Sequence, residues 1–110
     1  MRQLKILAMV FLCYTAALPV QASDCFLPQP PSKLPDGRTA SEQEMQLALQ
    51  TVQQYNSDVM TYLKCLDFEV KQNQLSSHEE ARLHNDAVET LQRVADKFNE
   101  QVRTFKARSG

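Results

Sequence analysis

The stretch KQNQLSS, Lys71 to Ser77, divides the chain into two long segments of one period. It breaks a helical pattern without using glycine or proline. Just past it, Ser76 with Glu79 and Ser77 with Glu80 form two overlapping capping boxes. In such a box a hydroxyl accepts from the backbone N–H three residues on, and the glutamate reaches back to the cap. Ala81, His84, Ala87, Val88, Leu91, Val94, Ala95, Phe98, Val102 and Phe105 then recur in steps of three and four, which is a helix period. Acidic residues gather at the start and Arg103, Lys106 and Arg108 at the end, as the helix dipole favours. A helix is predicted over about 77–106.

The same grammar operates upstream. Thr39 with Glu42 and Ser41 with Glu44 are again capping boxes. Met45, Ala48, Leu49, Val52, Tyr55, Val59, Tyr62, Leu63, Leu66 and Val70 keep the helical spacing, so a helix is predicted over about 40–72. A connection this short makes the two helices antiparallel neighbours. Met45, Val52, Val59 and Leu66 lie seven apart, as do His84, Leu91, Phe98 and Phe105. The expected fold is all-α: an antiparallel two-helix hairpin with a coiled-coil-like seam over residues 39–110. Leu66 should meet Ala81 and His84, Val59 should meet Val88, and Met45 should meet Phe98 and Val102.

In front of the hairpin, CFLPQPPSKLPDG (Cys25 to Gly37) holds four of the five prolines, while Arg38 to Ser109 contain neither proline nor glycine. Cys65 lies about 26 residues into the first predicted helix, roughly 39 Å from its start. In polyproline II form, the roughly 14 residues after Cys25 span about 43 Å. The lengths match. Residues 23–38 are therefore expected to run back along the hairpin as an extended strap, anchored by Phe26, Leu27 and Leu34 and fastened by a Cys25–Cys65 disulfide. Pro35-Asp36-Gly37 supplies the turn into the helix. The competing use of Pro28-x-x-Pro31, as a peptide for a proline-recognition domain, is disfavoured because such readers are mostly intracellular.

Residues 1–22 read as a cleaved secretory signal. A basic start (Arg2, Lys5) precedes an apolar run from Ile6 to Leu18, and Val20-Gln21-Ala22 offers small residues for cleavage after Ala22. The run is too short to span a bilayer comfortably, at about 20 residues. The expected location is periplasmic or secreted, with no stable membrane anchor after cleavage. Two cysteines then enter an oxidising compartment, which implies one disulfide. Removing Arg2 and Lys5 takes 12 Lys/Arg to 10 against 13 Asp/Glu, a net of −3, so no basic surface speaks for nucleic acid.

Cys25, Pro35-Asp36-Gly37, Glu44-Met45, Tyr55 and Tyr62-Leu63-x-Cys65-Leu66 form a pattern that resembles small exported proteins of Gram-negative bacteria with no assigned activity. The resemblance covers about residues 25–68. It implies periplasmic or secreted placement and no known chemistry.

The chain offers no catalytic constellation, and no enzymatic activity or cofactor is expected. His78 and His84 form no HExxH motif. His84 with Glu80, Glu79 or Asp86 falls short of a metal site for want of ligands. Cys65 has no CxxC partner, so a structural bridge is favoured over a redox thiol. Apolar side chains nonetheless exceed what one seam can bury. Leu49, Leu63, Phe68, Val70, Leu83 and Phe105 are the candidate interaction face. The function expected is non-enzymatic, through an unknown protein partner or a homodimer. The alternatives are a periplasmic chaperone or stress-type client binder, and a weakly metal- or pH-responsive protein.

Overall fold

The computed structural model describes residues 23–109, so the expected signal segment, 1–22, lies outside the described residues. Two helices form the fold: α1 (Glu42–Lys71) and α2 (Ser77–Ser109), packed side by side as a hairpin. Among the described residues there is no strand.

Local chemistry sets each helix end. Of the two predicted boxes at the start of α1, the chain uses the second. Glu44 N–H donates to Ser41 Oγ at 3.1 Å, and Glu44 Oε2 accepts from Ser41 N–H at 2.8 Å. Thr39 and Ala40 belong instead to a turn, where both N–H groups donate to the Asp36 carbonyl. The first helix thus starts two residues later than expected. At its end, Asn73 takes φ 56°, the left-handed region that asparagine tolerates better than most residues. Asn73 N–H donates to Val70 O and Gln74 N–H to Glu69 O, a Schellman pair that satisfies carbonyls the helix leaves over. That is how KQNQLSS turns the chain without glycine. Ser76 caps α2 through Glu79 N–H at 3.1 Å, while the Glu79 carboxylate is taken by Arg82 rather than reaching back.

The core has two parts. Tyr55, Val59, Tyr62 and Leu66 of α1 pack with Leu75, Ala87 and Val94. Nearer the open end, Ala40, Met45 and Ala48 pack with Phe98, flanked by Leu34, Val102 and Phe105. Val59 and Leu66 are completely buried. The seam on α2 therefore runs through Ala87, Val94 and Phe98. His84 and Leu91, placed on its midline by the heptad reading, are only half-buried, and Ala81 is exposed. The helix is rotated so that Ala87 and Val94 come in, which brings Leu83 and Gln101 on the same flank up to residues 23–40.

That leading segment is tied near both ends of the hairpin. Cys25 is bonded to Cys65, with Cα atoms 5.8 Å apart. Gly37 N–H donates to Gln101 Oε1 at 2.8 Å. Between these ties Pro28 is buried and Pro31 and Leu34 are half-buried, whereas Phe26 and Leu27 are exposed, Phe26 at 82%. The expectation that Phe26 and Leu27 anchor the segment is thus corrected, and Pro28 fills that place. Inward positions recur every third residue from Cys25 to Gly37, and a three-residue repeat turns positions 26 and 27 outward.

Candidate functional site

Two features of the hairpin stand out once the core is accounted for. The first is a pair of unlike flanks. One flank carries Tyr55 and Tyr62 on α1 and Leu83, Ala87 and Thr90 on α2, which line a cleft together with Leu27–Pro30. Farther along, Pro30, Pro31 and Leu34 share a second cleft with Arg93, Val94 and Lys97. Residues of the chain's own leading segment line both clefts on this flank.

The other flank follows from helical phase. On α1 it carries Val52, Leu63 and Val70, half-buried, with Leu49 and Met60 exposed at 44% and 41%. On α2 it carries His84, Val88, Leu91, Ala95 and Val102, all half-buried. The middle stretch of its rim is uncharged: Gln53 and Asn56 on one helix, Asn85, Gln92 and Asn99 on the other. Charge returns toward the ends, at Glu42 and Lys64, at the bonded pair Asp67 and Lys71, and at Glu80, Arg103 and Lys106. The remaining surface of α2 is by contrast thick with charge: Arg82–Glu79 and Arg82–Asp86 pairs, then Glu89 with Arg93. Depletion of charge over a half-buried apolar band is the composition of an interface core.

The six residues expected to form one interaction face divide among four environments. Leu49, Leu63 and Val70 share the open flank. Leu83 lines the cleft with Leu27 and Pro28. Phe105 packs against Ala40, Met45, Ala48 and Phe98, beneath the Arg108 guanidinium at 5.0 Å. Phe68, 58% exposed, stands apart on the outer side of α1.

The second feature is Glu69, the one buried charged residue among those described, at 5% exposure. Its Oε1 accepts from Asp24 N–H at 3.0 Å and lies 3.1 Å from Cys25 Sγ. A bridged sulfur has no hydrogen to donate, so the latter is a direct sulfur–carboxylate contact. Sequence reading passed over Glu69, although its signal was present: Tyr55, Tyr62 and Glu69 are spaced seven apart. The ligand atoms of Cys25, Cys65 and Glu69 lie within 4.8 Å of one another. With both sulfurs in the bridge they offer no thiolate, and one carboxylate alone falls short of a metal's requirement.

The histidines do not converge on acids. His78 is exposed in the first turn of α2, His84 is half-buried on the open flank, and Arg82 engages both Glu79 and Asp86. Hydrogen bonding from Arg82 holds the Glu79 carboxyl below its ordinary range.

Among the described residues no helix is long and apolar enough to cross a membrane. Comparison with family models, curated proteins and solved structures returned no match.

Proposed function

We propose that this chain is an exported, non-enzymatic interaction protein whose working surface is the open flank of the hairpin, and that it first pairs there with a second copy. The observation that carries the reading is the unlike treatment of the two flanks. One is lined by the leading segment; the other, with a rim uncharged along its middle, has no segment of the described chain over it. A second hairpin on that flank would complete a four-helix assembly, the usual way for two-helix units to bury such a band. The ends favour antiparallel neighbours: Glu42 begins α1, Arg103 and Lys106 end α2, and opposite charges meet when helices alternate in direction. The half-buried disulfide is in keeping with an oxidising compartment.

Residues 23–38 serve as the strap in this reading. Inward positions at Cys25, Pro28, Pro31, Leu34 and Gly37 match the three-residue turn of polyproline II. The prolines lower the entropy lost when the segment is held extended.

Light scattering on a sizing column tests the function. The oxidised protein should elute as a dimer, and Leu49→Glu with Val88→Glu should give monomers of unchanged helicity. A monomer at every concentration would sink self-association. Suppression of client aggregation by that monomer would then favour the chaperone-type reading.

A further inference from the structure

Glu69 is the one buried acid among the described residues, and its carboxylate lies directly against the Cys25–Cys65 bridge. That contact calls for a chemical consequence. The geometry points to Glu69 as an electrostatic guard of the Cys25–Cys65 bond, selecting against anionic thiols as reductants and keeping the bridge closed among them.

The chemistry runs through either sulfur. A thiolate attacking Cys65 Sγ forms a new sulfur–sulfur bond there and breaks the bond to Cys25. The electron pair leaves on Cys25 as a thiolate, 3.1 Å from Glu69 Oε1. Attack on Cys25 Sγ expels the Cys65 thiolate instead, but it brings the incoming anion against the same carboxylate. A second thiolate of the reductant then resolves the mixed disulfide, leaving two reduced cysteines and the oxidised reductant. Both routes crowd two negative charges together where water is scarce, and Coulomb repulsion is strongest in such places.

The carboxylate is held in position for this. It accepts from Asp24 N–H, one residue before the bridge, and it lies one helical turn beyond Cys65 on the same helix. A structural role alone would need only the acceptor oxygen. Glutamine supplies that oxygen with nearly the same shape and no charge, so Glu69→Gln separates the two roles.

The test is the rate at which the disulfide-bonded protein is opened by small thiols, read by mass spectrometry of alkylated samples. Rates are normalised to thiolate concentration. Wild-type protein should be opened at least about fivefold faster by cationic cysteamine than by anionic mercaptoethanesulfonate, given the repulsion at this distance. Glu69→Gln should lose that preference and react with dithiothreitol about tenfold faster. Equal rates for the two proteins, with the preference unchanged, would overturn the proposal. Should Glu69→Gln lose helicity, the comparison of thiols on wild-type protein decides: no preference for the cationic thiol rejects the guard.

Discussion

Gly37 shows how one small residue can decide where a segment docks. A Cβ at this position would stand 2.1 Å from the Gln101 carbonyl oxygen, and its φ is not positive, so what excludes a side chain is closeness to α2. Gly37→Ala should destabilise by roughly 2–3 kcal/mol, as overpacking against backbone does, and urea titration will show it. Arg108 works at the same end, donating to the carbonyls of Arg38 and Ala40 at 2.8 and 2.6 Å. From sequence it read only as a base matched to the helix dipole, because its partners lie about seventy residues away. Tyr55 and Tyr62 carry a pH signature. Burial raises both phenols above their ordinary value, and nearby Glu69 adds to the effect at Tyr62. The neutral form is therefore favoured in the folded chain. That stability is fully present below the unfolded phenol value of about 10 and is lost as pH rises through the folded values. Thermal melts from pH 8 to 11.5 should decline steeply above pH 10, and Tyr55→Phe with Tyr62→Phe should flatten the slope.

Helices were the most legible elements, since their signals are local. Capping boxes, three-four spacing and the charge at each end placed both α1 and α2 within a few residues. What sequence could not supply was rotation about the axis. Ala87 and Val94 take the seam from His84 and Leu91 because several apolar stripes lie side by side on α2, and packing against α1, far away in sequence, selects one. The helix-breaking stretch is legible in physical terms through Asn73. Asn73→Ala should cost about 1 kcal/mol, since alanine resists positive φ, while Asn73→Gly should be tolerated. Ser41→Ala should likewise cost about 1 kcal/mol through loss of the cap. Chemical denaturation of the three variants checks both statements. The leading segment was legible in its fastening, the Cys25–Cys65 bond, less so in which side chains face inward. Size suggested Phe26 and Leu27, but inward direction, set by the threefold repeat, belongs to Pro28.

For the molecule as a whole, the bridge does most to restrict the unfolded chain. Its partners are separated by 40 residues, and closing such a loop contributes roughly 4 kcal/mol in the chain-entropy model. Cys25→Ser with Cys65→Ser should lower the melting temperature by about ten degrees or more, and tryptic cleavage after Lys33 should accelerate. The open flank was legible only as an apolar excess; the uncharged middle of its rim emerges once helical phase is known. The disulfide also changes how the molecule answers to tension. A pull on the N-terminus enters α1 directly at Cys65, bypassing everything between. Residues 26–64 then form a slack ring that bears no force even after both helices have come apart. Stretched between its ends, the oxidised chain should fall short of the reduced chain's contour length by roughly 140 Å, a hidden length released by cutting a single bond.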